Sequence, residues 1–354
     1  MNINGKPSWI LLILFMLMGS VVILTGCAGA STETAVSNST SDQTTTGMLL
    51  LPALEAVPLT DKPLNVVVTT SIMGDVVAQV GGDAIELTTL MNAGQDPHSY
   101  QPGARELTAV ADADIIFVNG WDLEQALADD LAEIGGGTPI VAISANIEPL
   151  RLGADSHTHE EADEEDTEAE DTHNGVDPHV WFNVQNVAQW TDNVAQVLSE
   201  LDPAHAETYA SNAVAYHTEL DALEAYAAAQ LAQIPEERRF LVTNHDAFGY
   251  LADSYGFTVI GTVIPGMSTL AEPSAKDLAS LIAEMGEHDL CTIFTETTVS
   301  DTLAQTVAGE LENCADVKVV KLYTGAVGLA GSGADSYTSM FRANVDAIVE
   351  GLRE

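Results

Sequence analysis

Basic residues are scarce in this chain. It has 11 Lys and Arg against 53 Asp and Glu over 354 residues, a formal net charge of −42. Such a surface repels nucleic acid and anionic lipid, so nucleic acid is excluded as a partner and cations are the natural ligands. The surplus alone names no ligand, because acids scattered over helix faces also keep an extracellular protein soluble. Cysteine is nearly absent, with 3 residues and no CxxC pair, which removes the usual thiolate zinc sites. Also missing are an HExxH helix and a Ser-His-Asp arrangement, the motifs that would supply a catalytic base. What is present suffices to fold: 46% hydrophobic residues can build two cores, and 354 residues exceed what one core usually holds.

The N-terminal stretch carries Lys6, the apolar run from Trp9 to Leu24 (WILLILFMLMGSVVIL) and then Thr25-Gly26-Cys27, the pattern of an export signal. The run is shorter than the roughly 20 residues of a spanning helix, so cleavage is expected, with an uncleaved anchor as the alternative. Leu24 to Cys27 resembles the lipobox of bacterial lipoproteins, which implies a signal peptide over 1–26, cleavage before Cys27 and a lipid on its thiol. The mature protein is then exported and lipid-anchored to the outer face of the cell membrane. From Ala28 to Thr46 the chain is almost all Ser, Thr, Ala and Gly, so 27–61 reads as a flexible tether. In an oxidising compartment the remaining thiols, Cys291 and Cys314, are expected to pair. Each lies at the edge of a strand-like run, and two neighbouring parallel strands would bring them to one sheet end.

Beyond the tether, β-rich runs alternate with helical stretches. Leu64–Thr70, Ile85–Leu90, Ile115–Val118 and Ile140–Ile143 are separated by segments such as Glu106–Ala113 and Leu123–Ile134. The alternation recurs with Phe240–Thr243, Thr258–Ile264, Thr292–Phe294 and Val317–Leu322, and ends in a helical stretch over Tyr337–Leu352. Alternation of this kind predicts an α/β fold of two lobes, each a parallel sheet flanked by helices, over 62–202 and 235–354. Between them, Tyr209, Ala213, Tyr216, Leu220, Leu223 and Ala227 recur at spacings of four and three, which predicts one long linking helix over 203–234.

The tripeptide Asp-Pro-His occurs twice, as Asp96-Pro97-His98 in QDPHSYQP and as Asp177-Pro178-His179 in VDPHVWFN. Proline fixes the backbone before each imidazole, and the carboxylate two residues earlier can orient the ring or cap the turn. A third histidine, His245 in NHDAFGY, directly follows the strand-like RFLVT, at the carboxyl end where open α/β sheets place ligands. Three imidazoles converging on a cleft between lobes repel when protonated and need partners when buried, and a metal ion satisfies all three.

QDPHSYQP, DPHVWFN and NHDAFGYLADSYGF together resemble the ligand motifs of ABC-transporter solute-binding lipoproteins that take up zinc or manganese, the cluster A-I metal-binding family, and most of all its zinc-uptake periplasmic binding proteins. The resemblance covers roughly residues 62–354. It implies His98, His179 and His245 as metal ligands, a backbone helix joining the lobes, and a monomer that delivers Zn2+ to the permease of an ABC importer. Members of the family often supply a fourth, carboxylate ligand from a stretch resembling Leu322-Tyr323-Thr324-Gly325-Ala326, and here that position is Gly325. Water is the first substitute, Glu296 the second, and a carboxylate of the acidic loop the third; Glu296 could equally bond an imidazole or pair a charge at a strand end. Manganese or another divalent cargo is the alternative within the family. A zinc hydrolase is the enzyme alternative, and a surface adhesin, a role with which surface lipoproteins of the family are credited, is a third.

One segment breaks the α/β pattern. Gly153 to Gly175 holds ten acidic residues together with His157, His159 and His173, and almost nothing apolar, so it reads as a disordered loop. Family members specialised for zinc frequently carry such a loop, which implies weak auxiliary metal binding; a solvated charge run is the alternative. His205, His217 and His288 sit within predicted helices away from any motif and read as surface or core residues.

Overall fold

The computed structural model describes residues 48–59, 62–151 and 175–353. The expected signal peptide, the lipidation site Cys27 and the acidic loop with His157, His159 and His173 lie outside these residues.

In the first lobe β1 (Leu64–Val68), α1 (Ser71–Gly81), β2 (Ile85–Thr89), α2 (Ala104–Ala111), β3 (Ile115–Val118), α3 (Ala128–Ile134), β4 (Ile140–Ala142) and α4 (Val184–Leu201) follow in order. The LNVVV run of β1 is apolar almost throughout because it is covered on both faces, as a central parallel strand must be. It pairs in parallel with β2 and β3, giving the order β2-β1-β3-β4.

The second lobe repeats the plan with β5 (Phe240–Thr243), α6 (Gly249–Tyr255), β6 (Thr258–Thr262), α7 (Ala275–Glu287), β7 (Thr292–Glu296), α8 (Thr302–Glu310), β8 (Lys318–Leu322) and α9 (Tyr337–Leu352), in the order β6-β5-β7-β8. In both sheets the chain direction of winding reverses beside the first strand, which opens a crevice at the carboxyl ends of the strands.

The linking helix α5 (Ala206–Leu231) buries the expected stripe, with Tyr209, Ala213, Tyr216, Leu220, Leu223 and Ala227 all inside. It packs on α1 and α4 of the first lobe and on α9 of the second. The main apolar cluster consequently runs without a break from Leu64 in β1 to Leu352 in α9. Smaller clusters fill the outer layers, one under α2 and α3 and the other under α7 and α8.

Hydrogen bonds also cross between lobes: Tyr337 N–H to Asp75 (2.8 Å), Tyr337 hydroxyl to the Trp181 carbonyl (2.8 Å) and Val327 N–H to Ser71 Oγ (3.2 Å). A shared core and bonded seam resist hinge closure, since packed interfaces are bistable rather than continuously deformable. Small-angle scattering of metal-free and metal-loaded protein should therefore give nearly superimposable curves; a change of the size seen in wide hinge-closing binders would contradict this packing.

The tether ends earlier than the composition suggests. Leu51, Leu54, Val57 and Leu59 pack against the main core, Val57 N–H bonds the Leu201 carbonyl at 2.8 Å, and Asn146 N–H bonds the Leu49 carbonyl at 2.8 Å. The apolar residues at these positions carry the signal. A Ser/Thr-rich reading extended to residue 61 passes over them.

Cys291 and Cys314 are joined by a disulfide, as expected from the adjacency of β7 and β8. The bond lies at the amino ends of these strands, opposite the crevice. Closing a loop across 23 positions stabilises the fold by about 3 kcal/mol through the unfolded chain. Reduction should lower the unfolding free energy by about that amount while leaving metal affinity unchanged, measured by denaturant titration beside a metal titration.

Candidate metal centre

The two Asp-Pro-His motifs adopt the same turn. Asp96 Oδ1 accepts the backbone N–H of His98 at 3.1 Å, and Asp177 Oδ1 accepts that of His179 at 2.9 Å. The intervening proline has no donor to compete for the carboxylate and fixes the backbone between them. Asp177 Oδ1 also takes the Nδ1–H of His179 at 2.8 Å, so that one carboxylate sets both the backbone and the ring. Asp96 instead uses its other oxygen to hold Ser99 at 2.9 Å and, across the crevice, Thr269 at 2.6 Å.

His245 leaves the end of β5 with its carbonyl held by Thr243 Oγ1 at 2.8 Å. The β7 strand runs two residues further than Thr292–Phe294, and its last residue is the buried Glu296. That carboxylate bonds His245 Nδ1 through Oε1 and accepts the Thr324 hydroxyl at 2.6 Å through Oε2. Glu296 thus orients an imidazole, the second of the roles the sequence left open.

With Nδ1 of His179 and of His245 both occupied by carboxylates, each ring turns an Nε2 lone pair inward. His98 Nε2 lies 3.3 Å from His179 Nε2, and His245 Nε2 lies 3.2 Å from the same atom. Four ligands at the corners of a tetrahedron with bonds of about 2.0–2.1 Å would be spaced by about 3.3–3.4 Å, so this is the edge length of a zinc-sized tetrahedron. All three rings are buried. Among the described residues no carboxylate joins this cluster of ligand atoms. At Gly325 a Cβ would stand 2.5 Å from Pro97 Cδ, inside the His98 motif, so the missing side chain matches a close approach of the two lobes.

Burial governs the charges around the rings. It pushes the Asp177 carboxyl up to about 7, partly offset by the bond from His179, and the Asp246 carboxyl up to about 6, with Asp177 adding repulsion. For His245 burial favours the neutral ring, but the neighbouring Glu296 outweighs it and the balance is upward. Glu296 is in turn held below the usual carboxylate range, because the His245 charge and hydrogen bond overcome its burial.

Several supporting residues were not singled out in the sequence. Trp181 meets His179 edge to face with ring centroids 5.4 Å apart, and its Nε1 donates to the Thr324 carbonyl at 2.9 Å, which ties His179 of the first lobe to the residue holding Glu296. The buried Glu124 accepts from Asn119 N–H at 2.7 Å, and the Asn119 amide donates to the Pro178 carbonyl at 2.9 Å beside His179. The only signals available were the aromatic inside DPHVWFN and the NG turn after β3. Gly249 of the NHDAFGY motif is required by contact, since a Cβ there would meet Asp177 Oδ2 at 2.6 Å. Gly249→Ala should displace Asp177 and weaken zinc binding by about 10–100-fold, the range for losing a carboxylate behind a ligand, as read by competition with a chelator dye. The remaining described histidines stay apart: His205 pairs with Asp202 at 2.6 Å, His217 with Asp192 at 2.8 Å, and His288 packs at a tilt against Phe240.

Residues 66–351 match the family described as zinc-uptake complex component A periplasmic, ZnuA. The manganese-binding lipoprotein MntA of Halalkalibacterium halodurans is 35% identical over 292 residues, 82% of this chain and 89% of that one. The zinc-binding protein TroA of Treponema pallidum is 33% identical over 295 residues, with 82% and 89% covered. The solved structure of periplasmic zinc-binding TroA from Treponema pallidum superimposes with a TM-score of 0.71 at 31% identity, covering 83% of this chain and all of that one. Two lobes of matching topology, three imidazoles in the crevice between them, and these matches over most of its length make this chain a member of the ZnuA family of periplasmic metal-uptake components.

Proposed function

We propose that this chain is an exported, lipid-anchored solute-binding protein that captures Zn2+ between its lobes and hands it to the permease of an ABC importer. The observation that carries the reading is the convergence of three buried Nε2 atoms, two of them 3.2 and 3.3 Å from the third, with carboxylates fixing the tautomer of His179 and His245. His98, His179 and His245 act as ligands and water completes the tetrahedron, leaving one exchangeable position through which the ion can be passed on.

The names of the relatives favour a second reading, manganese as cargo, because MntA of Halalkalibacterium halodurans and MntA of Bacillus subtilis are both called manganese-binding. The donor set argues for zinc: three neutral nitrogens and no carboxylate among the described residues make a low-coordination site, whereas manganese prefers more oxygen ligands. The tetrahedral spacing does not separate the two ions, and the preference for zinc rests on the donor types. Neither hydrolysis nor adhesion draws support from the site, whose relatives are named as binding proteins. Metal analysis of protein purified without chelators tests the assignment. Zinc at about one equivalent supports it, and manganese at that level sinks it.

A further inference from the structure

Of the three histidines His98 keeps the most surface, 7% against 1% for His179 and 2% for His245. It forms part of the wall of a cavity of about 180 Å³ lined by Asp122 and Gln125 from the first lobe and by Ser268 and Leu270 from the second. That volume holds an ion with several of its waters, each of which occupies about 30 Å³ in the liquid. Apart from His98, the polar side chains in the lining offer oxygen, the donor that a hydrated divalent cation exchanges most readily for its own water.

The backbone that presents Asp122 is unusual. Gly120, Trp121 and Asp122 lie at φ of 100°, 48° and 60°, and two successive non-glycine residues in the left-handed region store strain that the surroundings must impose. Those surroundings are visible. Leu49 packs so closely on Gly120 that a Cβ there would stand 2.6 Å from its Cδ1, and Glu124 grips the N–H of Asn119 just before the turn. The segment laid over the first lobe and the buried glutamate together hold an exposed carboxylate at the mouth of the cavity.

We propose that Asp122, with Gln125 beside it and Ser268 opposite, is an entry station for hydrated divalent cations, where a carboxylate oxygen replaces part of the water shell before His98 takes the ion. The proposal rests on the metal-cargo reading. Exchange in two steps, water for oxygen and then oxygen for imidazole, lowers the barrier to dehydration without adding a ligand to the final site. A transit residue acts on entry and exit alike, so its loss slows both.

Stopped-flow mixing of the full chain with Zn2+, and displacement by a chelator dye, read the two rates. Asp122→Asn removes the charge, Asp122→Gly does so while relieving the strain, and both residues are tolerated at positive φ. Each should slow zinc association about fivefold and slow dissociation with it, whereas Asp130→Asn, an exposed acid on α3 outside the cavity lining, should leave both rates as they are. Wild-type rates in both Asp122 variants would overturn the entry station, as would an Asp130→Asn variant slowed as much, which would mean only that total charge matters. A wild-type protein that takes up no metal at all would instead overturn the cargo reading on which the proposal stands.

Discussion

Alanine at His98, His179 or His245 should weaken zinc binding by about 10²–10³-fold in each case, because on the proposed function each would remove one of the three protein ligands. Glu296→Ala should weaken it less, by about 10–100-fold, since Glu296 acts through the Nδ1 of His245 rather than on the ion. Calorimetric or dye-competition titration of the four variants checks the ranking. A Glu296→Ala loss as large as that of His98→Ala would make Glu296 a ligand in the loaded protein, and a full-affinity His179→Ala would remove the site altogether.

Zinc affinity should fall steeply as pH drops, by up to about tenfold per pH unit for each imidazole that must first lose a proton. A ring binds metal only through a free Nε2 lone pair, so every proton taken up opposes the metal. His245 sets where the fall begins. Glu296 raises its pKa above the ordinary value near 6.5, so protons start to compete at higher pH than a solvent-exposed histidine would require. Titrations between pH 8 and pH 5 should show the loss beginning above 6.5, and Glu296→Gln should move its onset downward. An affinity that stayed flat to pH 5.5 would exclude imidazole ligation.

Much of this was legible in the sequence because the relevant signals are local. The strands β3 and β5 and the helix α9 keep the bounds that their apolar runs mark, and the stripe from Tyr209 to Ala227 is buried as its spacing requires. Asp-Pro-His was informative for the same reason, since the turn it makes is closed between Asp and His within three residues.

What was not legible depends on tertiary contact. Glu296 is one of 53 acidic residues, and only the pairing of β7 beside β5 brings it to His245. The Trp181 to Thr324 bond spans 143 positions. The segment Leu49–Leu59 is hard to tell from a tether by composition because its apolar residues follow a Ser/Thr-rich stretch without a strand or helix of their own. Gly325 could be read as a missing carboxylate, but its contact with Pro97 appears only once the lobes meet.

On the proposed function, three imidazoles from two lobes are the protein donors of a zinc site, with no carboxylate among the described residues. Competition between Zn2+ and Mn2+ for the purified, metal-stripped protein tests it most directly, with both ions titrated at pH 7.5 against a common chelator. Zinc is expected to displace manganese completely and to bind tighter by at least about two orders of magnitude, as the donor types require. Manganese bound as tightly as zinc, or more tightly, would contradict it.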